Sequence, residues 1–579
     1  MYTVLKNYQI IIALLKKYGI QHLVLSAGTR NVPFVHSVEN DPDFTCYSVV
    51  DERSAAYFAM GIAQEVNAPV AISCTSSTAT TNYLPAITEA FHLKVPLLVI
   101  TSDRNPYYLG QLEDQMIDQV GMYGKFVRKS VTLPFVSDEE DFWYCERLAN
   151  EALLELSHRG KGPVHINIPT FKDLNSFSAS NLPDVRKINR IEIENTSEVW
   201  MEKVRILERF NKILVICGQT DYSSEELKNN IELFTEKFNC TVAIDHMSNL
   251  YSNKFVEPSL ITHSMSGNDF DDVLPDLVIT FGENYISQFK GPLKANYKKN
   301  EHWLINENGE VVDMFKSLST IFECSPNYFF KFFNEHSKTK NNNNYNNSWK
   351  MKIDDRKEKE VPFSNVLAIK EFSHLIPDHS ILHLSILNSI RITSFFKLSP
   401  DVKVYANLGS HGIDGCMSTF LGQSVVTDKL SFLIIGDLSF FYDMNSIRIK
   451  HIKNNVRILL LNNRGGAEFQ RNHGKSLIPT IDLHTSARHS IVAKGWAESV
   501  GFKYLSANSE PEYSSNLKVF MKPSNNPVLF EVFTDMETDS EILKSFISNH
   551  TLATEKSKKL VKSILGEENT QKLKRFLKK

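Results

Sequence analysis

Short apolar runs rich in Val, Ile and Leu recur along this chain, and after each run the apolar residues return at helical spacing. Such runs read as strands buried on both faces, and their alternation with helices reads as parallel α/β layers. Strands are expected near residues 22–27, 44–50, 70–74, 97–101 and 164–168. A second group is expected near 213–217, 242–244, 277–281 and 302–305, and a third near 381–384, 404–407, 432–435, 456–461 and 528–533. The grouping predicts an α/β protein with three doubly wound parallel-sheet domains over residues 1–180, 195–335 and 361–550. Polar sequence separates them: a stretch carrying Pro183, and an Asn-rich linker over 336–360 that includes Asn341, Asn342, Asn343 and Asn344. Residues 551–579 are Lys-rich, with Leu560, Ile564, Leu573 and Leu577 spaced as on a helix, and read as a basic, solvated helical tail.

Composition removes several function classes. A formal net charge of −3 over 579 residues gives no reason to expect nucleic acid or an acidic membrane as partner. The apolar segment 10–15 is bracketed by Lys6, Lys16 and Lys17, and reads as an amphipathic helix ending at Gly19 rather than a signal peptide. No apolar run reaches the roughly 20 residues that a membrane span needs. Seven cysteines are scattered singly, with no CxxC pair, which argues against a zinc site or disulfide framework and for a reducing cytoplasm.

Chemistry-bearing residues gather where expected strands end, which is where open parallel sheets bind ligands. The first domain offers Ser26-Ala27-Gly28-Thr29-Arg30, Asp51-Glu52-Arg53, Thr75-Ser76-Ser77-Thr78-Ala79 and Ser102-Asp103-Arg104. Any one of these also suits a helix cap, but four in succession point to a site. The third domain offers Gly436-Asp437-Leu438-Ser439 and, one βα unit later, Asn463-Arg464-Gly465-Gly466. An Asp carboxylate, an Asn amide oxygen and the Gly465 carbonyl are hard ligands, suited to Mg²⁺ together with diphosphate and water oxygens. A lone carboxylate such as Glu52 and a Mg²⁺–diphosphate site are what a thiamine diphosphate enzyme needs. Glu52 has a blander reading as the ion-pair partner of Arg53. Between the halves, Asn407-Leu408-Gly409-Ser410-His411-Gly412-Ile413-Asp414-Gly415 lacks dinucleotide-loop spacing and reads as a tight turn presenting Ile413 to a ligand.

These motifs resemble one family, the thiamine diphosphate-dependent synthases of menaquinone biosynthesis known as MenD, and the likeness covers nearly the whole chain. Asp51-Glu52-Arg53-Ser54-Ala55 is similar to the family's DERSA, and Cys74-Thr75-Ser76-Ser77-Thr78-Ala79 to its CTSGTA. Thr101-Ser102-Asp103-Arg104, Asp114-Gln115-Met116-Ile117-Asp118-Gln119, His411-Gly412-Ile413-Asp414-Gly415 and Gly436-Asp437-Leu438-Ser439-Phe440 resemble TADR, NQxIDQ, SGIDG and GDLSF. The resemblance implies pyrimidine-binding, central and diphosphate-binding domains. It also implies a homodimer or tetramer in which Glu52 of one subunit faces a cofactor held by Asp437 and Asn463 of another. Ile413 matches the wedge that bends the cofactor, and Ser76, Gly436, Leu438, Ser439, Gly465 and Gly466 fall at cofactor-binding positions. The implied reaction is decarboxylation of a small 2-oxo acid, with addition of the remaining fragment to an acceptor.

Departures from the family pattern predict altered substrates. Arg30, Arg104, Gln115 and Arg391 match family positions, but Leu408 stands where the family has Arg, and Glu468 where it has an apolar residue. Leu cannot make the bidentate carboxylate pairs of Arg, and a Glu near the reacting centre repels carboxylates unless it is protonated or paired. Glu468, Gln470 and His473 are therefore candidates for a polar acceptor. His411, at a small-residue position, is either an acid/base group or a neutral structural His. Two alternatives stay open: the family's own reaction, which joins 2-oxoglutarate to isochorismate, and a cofactor-binding but inactive homologue acting as a partner subunit.

Overall fold

The computed structural model describes residues 1–171, 174–185, 187, 197–220, 224–285, 288–308, 312, 314–315, 317–338, 344–354, 360–469 and 483–549. Three all-parallel sheets form its frame. The first comprises β1 (His22–Leu25), β2 (Thr45–Ser48), β3 (Val70–Cys74), β4 (Leu97–Asp103), β5 (Ser130–Thr132) and β6 (Val164–Pro169), in the order β2-β1-β3-β4-β6-β5. The second holds β7 (Ile213–Cys217), β8 (Thr241–Ala243), β9 (Leu277–Phe281), β10 (Glu301–Ile305) and β11 (Leu318–Phe322), ordered β11-β10-β9-β7-β8. The third is built from β12 (Ile381–Leu384), β13 (Lys403–Ala406), β14 (Ser431–Gly436), β15 (Val456–Asn462), β16 (Lys503–Ala507) and β17 (Val528–Phe533), ordered β13-β12-β14-β15-β17-β16. Helices cover both faces, so β3, β4 and β15 are buried at every position, as continuous apolar runs require.

Three strands fall outside the sequence expectation: β5, β11 and β16. Each lies at the edge of its sheet and is only partly buried, so none carries the apolar run that marks the inner strands. Part of the segment expected as a linker is also structured. Tyr345–Asp354 is a helix whose Tyr345, Trp349 and Ile353 recur four residues apart and pack into the second domain's core, and the Tyr345 hydroxyl donates to the Val273 carbonyl at 2.7 Å. The expected tail over 551–579 lies outside the described residues, as do Gln470 and His473. Among the described residues no helix is long and apolar enough to cross a membrane, and all seven cysteines are free thiols.

The first and third sheets share one core. Helix Glu52–Val66 and helix Cys416–Val425 cross with their backbones in contact: a Cβ on Gly61 would fall 1.9 Å from the Thr419 carbonyl oxygen, and one on Gly422 would fall 1.9 Å from that of Phe58. Only glycine permits that approach. Buried amides seal the crossing, with Gln423 donating to Gln64 at 3.0 Å. Ser54 and Ser418 both reach Asp443, which accepts from the Ser418 N–H at 2.7 Å and its hydroxyl at 2.8 Å. The crossing fixes where Glu52, at the start of one helix, stands relative to the turn that precedes the other.

Candidate active site

Each polar cluster singled out in the sequence sits at the carboxyl end of a parallel strand. Asp51 follows β2 and caps helix Glu52–Val66, its carboxylate accepting from the Ser54 N–H at 3.0 Å. Glu52 opens that helix and is half-buried. Burial holds its carboxyl above the usual range, the Asp51 charge adds to this, and its own backbone N–H and the Asn82 side chain partly offset it. Arg53 turns elsewhere: it donates to the Tyr442 carbonyl at 3.0 Å and lies over the Tyr442 ring, so it does not take Glu52 as its partner.

The loops after β3 and β4 are stapled together. The Ser76 hydroxyl donates to the Gln115 carbonyl at 3.0 Å, and Gln115 itself has left-handed backbone. Gln119, which the sequence left as part of a motif without a role, accepts from the Ser77 N–H at 2.9 Å and donates to Asn167 at 3.0 Å. Arg30 and Arg104 stand near one another. Burial, and then the Arg104 charge, lower the basicity of Arg30, while Arg104 is ion-paired with Glu113.

The second half-site lies at the ends of β14 and β15. Asp437 is buried, with Oδ1 accepting from the Leu438 N–H at 2.7 Å and Oδ2 from the Gly465 N–H at 3.0 Å. Asn463 donates its amide N–H to Asp539 at 3.1 Å, so the Asp539 contact takes the donor end of the amide and not the Oδ1 acceptor. Gly465 has a φ of 154°, and a Cβ there would meet the Ser486 carbonyl at 2.8 Å. A Cβ on Gly436 would meet open space, so room exists beside Asp437. His489 brings Nε2 to 3.3 Å from Asp437 Oδ2, within ion-pair range but without hydrogen-bond alignment, while its Nδ1 accepts from the Ile491 N–H. The donors that Asp437 and Asn463 offer here are oxygens, with the His489 imidazole beside them. Among the described residues no cluster of three His, Cys, Asp or Glu side chains stands ready for a metal. That chemistry suits a hard cation completed by ligand and water oxygens.

The turn between the halves is held from both sides. Glu89, buried on helix Leu84–His92, accepts from the N–H groups of Gly409 at 2.7 Å and Ser410 at 2.6 Å, and from the Ser410 hydroxyl. Tyr57 donates to Asp414 at 3.2 Å, and Gly415 sits where any Cβ would strike the Tyr57 ring. From the other side, the Ser439 hydroxyl donates to the Ile413 carbonyl at 2.6 Å. Ile413 is partly exposed, as a ligand-facing residue must be, and His411 is exposed with left-handed backbone at φ 58°. Leu408, at the family's Arg position, is buried in the third domain's core.

Two further candidates meet each other. Arg391, on the helix after β12, makes a forked ion pair with Glu468, with Nη1 to Oε2 at 2.6 Å and Nη2 to Oε1 at 3.3 Å, and Nη1 also reaches Asn388 at 2.7 Å. The repulsion expected from Glu468 is thus cancelled by pairing. A separate cavity of about 660 Å³ opens at the ends of β7, β9 and β10, lined by Lys94, Arg128, Gln219 and Glu283 among others, and none of the site residues picked from the sequence lines it. Sequence reading missed Glu89, His489 and Asp539, and left Asn82 and Gln119 without a role. Only Glu89 left a signal, a carboxylate on the buried face of an apolar helix beside Ala86 and Ala90.

Residues 6–122 match the family model described as the N-terminal TPP binding domain of thiamine pyrophosphate enzymes. The chain is 38% identical over 560 residues to the 2-succinyl-5-enolpyruvyl-6-hydroxy-3-cyclohexene-1-carboxylate synthase of Bacteroides fragilis, covering 94% of this chain and 99% of that protein. The synthase of the same name from Bacteroides thetaiotaomicron is 37% identical with the same coverage of both chains. That from Flavobacterium psychrophilum is 31% identical, covering 94% of this chain and 98% of its own. The chain belongs to the 2-succinyl-5-enolpyruvyl-6-hydroxy-3-cyclohexene-1-carboxylate synthase family of thiamine diphosphate-dependent enzymes.

Proposed function

We propose that this enzyme uses thiamine diphosphate and Mg²⁺ to decarboxylate a 2-oxo acid and join the remaining fragment to an acceptor. The observation that carries the reading is the conjunction of a lone, half-buried carboxylate at Glu52 with an oxygen-lined crevice at Asp437, Asn463 and Gly465. Asp437, Asn463 through Oδ1 and the Gly465 carbonyl would hold Mg²⁺ as hard oxygen ligands. Gly436, Leu438, Ser439 and Gly466 would line the diphosphate, and Ser76 and Ile413 would contact the rings. When bound, the cofactor supplies a thiazolium that takes up the electron pair left by departing CO₂. Glu52 would share a proton with a pyrimidine nitrogen of the bound cofactor, and the burial that raises its pKa would favour that sharing over release to water. His411, on the turn beside Ile413, is the candidate for moving a proton at the substrate.

The site belongs to two subunits in this reading. Glu52 takes hydrogen bonds from first-domain groups, its own backbone N–H and Asn82, and Asp437 contacts third-domain groups, Leu438, Gly465 and His489. Both halves are edged by exposed apolar side chains: Val50, Leu84, Leu112 and Val120 in one, Leu387, Tyr442, Ile491 and Val492 in the other. Apolar side chains gathered around two incomplete half-sites fit a homo-oligomeric interface.

The donor and acceptor differ from those of the family's own reaction. Leu408 is buried where the family has Arg, and Arg104 and Arg391 already hold Glu113 and Glu468. The family's reaction, 2-oxoglutarate with isochorismate, is the second reading, favoured by full-length identity with synthases of that name. Calorimetry with thiamine diphosphate and Mg²⁺, paired with exchange of the cofactor C2 proton, tests the reaction class. Wild type and Glu52→Gln should both bind, and only wild type should exchange; equal exchange in both would overturn the role of Glu52. Turnover at an ordinary rate with 2-oxoglutarate plus isochorismate would refute altered substrates.

A further inference from the structure

His489 is fixed beside Asp437 by its backbone and by both edges of its ring. Its backbone N–H donates to the Arg464 carbonyl at 3.2 Å, and the Ser486 carbonyl accepts from the Gly466 N–H at 2.7 Å, so the segment 486–489 is pinned along the loop that follows β15. The ring meets that of Phe441, on the helix Asp437–Tyr442, edge to face with centroids 5.3 Å apart. Its Nδ1 accepts from the Ile491 N–H at 3.1 Å. That bond uses the Nδ1 lone pair, so the ring proton sits on Nε2, which is then an N–H donor and not a metal ligand. This Nε2–H has no hydrogen-bond partner among the described residues. It stands 3.3 Å from Asp437 Oδ2 but out of line with it, and that oxygen already accepts from the Gly465 N–H at 3.0 Å. The side chain is only 10% exposed, so bulk water does not replace the missing partner. Room for a ligand exists alongside, since a Cβ on Gly436 would meet nothing within 4 Å.

We propose that His489 is a diphosphate-binding residue, whose Nε2–H donates to an oxygen of the cofactor's diphosphate. The assignment rests on the cofactor reading proposed above. A buried donor left unpaired destabilises the fold, and the bond it lacks is one that an arriving ligand can make. The cation that Asp437 and Asn463 would hold brings an anion to this point, and an N–H bonded to a phosphate oxygen is charge-assisted and stronger than a neutral pair. The ring is already held by Phe441 and the Ile491 N–H, so little rotamer freedom is lost when that bond forms.

The test is calorimetric binding of thiamine diphosphate to the full chain at saturating Mg²⁺, in wild type, His489→Gln and His489→Phe. Gln keeps an N–H at the reach of Nε2, whereas Phe keeps a ring against Phe441 and has no donor. His489→Phe should weaken binding by about tenfold or more, and His489→Gln by clearly less. Inorganic pyrophosphate, measured as a competitor, should weaken in His489→Phe by a similar factor. Ring packing alone predicts the reverse order, with Phe tolerated and Gln not. That order, equal affinity in all three proteins, or a pyrophosphate affinity that does not change would overturn this assignment and leave the cofactor reading standing. Should His489→Phe fail to fold, wild type carries a second measurement, NMR of isotope-labelled histidine. The Nε2–H proton of His489, assigned by its loss in His489→Gln, should move downfield when thiamine diphosphate and Mg²⁺ are added, and an unmoved proton would overturn the assignment. Wild type that binds no thiamine diphosphate would overturn the cofactor reading and the assignment with it.

Discussion

Asn463 serves a cation only if its amide is held one way round. Asp539 does the holding. Its Oδ1 accepts from the Asn365 N–H at 2.9 Å and its Oδ2 from the Thr534 hydroxyl at 2.7 Å, and the fixed carboxylate then takes the Asn463 N–H. Burial pushes the Asp539 carboxyl up to about 6, against the lowering effect of those donors. Residues that orient a metal ligand typically govern affinity by about 10–100-fold. Asp539→Ala should therefore weaken Mg²⁺ binding by a factor in that range, read by calorimetry at saturating thiamine diphosphate, and unchanged affinity would remove Asp539 from the site. Glu52, Asp437 and Asn463 were legible because each ends an apolar run, a pattern visible in one dimension. Asp539 was not, because it reaches Asn463 from a helix 76 residues further along the chain and leaves no local mark there. Arg391 and Glu468 were each legible as candidates, and their meeting was not, because it depends on which strands flank β14.

At the scale of elements, the junction of helix Glu52–Val66 with helix Cys416–Val425 carries a titratable group. Asp443 is fully buried, and burial raises its carboxyl from 3.8 to about 7, opposed by its hydrogen bonds from Ser418 and by the Arg53 charge. A carboxyl with a raised folded pKa binds its proton more tightly folded than unfolded. Its stabilising contribution is fully present below the unfolded value of 3.8, and is lost as pH rises through about 7. At about 1.4 kcal/mol per pKa unit, the change is on the order of a few kcal/mol. Asp443→Asn, a permanently neutral stand-in, should flatten the fall in melting temperature between pH 5 and pH 8, and an unaltered slope would place the titration elsewhere. The inner strands were legible because each is a continuous apolar run. The edge strands β5, β11 and β16 and the helix Tyr345–Asp354 were not, since partial burial thins the pattern and flanking Asn residues mask it.

For the whole molecule, three parallel sheets follow from the order of apolar runs, but the proposed two-subunit site does not, because no sequence pattern says which copy of a chain meets which. The separation of contacts supplies a test. If Glu52 of one subunit serves the crevice at Asp437 of another, two inactive variants can repair each other. A Glu52→Gln subunit retains Asp437, and an Asp437→Ala subunit retains Glu52. A mixed dimer then contains one site with both defects and one with neither. Random reassembly of equal amounts makes half the dimers mixed, so about a quarter of wild-type activity should return, whereas each variant alone stays inactive. A site built within one chain gives no recovery at any mixing ratio. The mixture also carries an internal control: recovery must appear at the rate of subunit exchange, and must vanish when one chain bears both substitutions, since no pairing then contains an intact site.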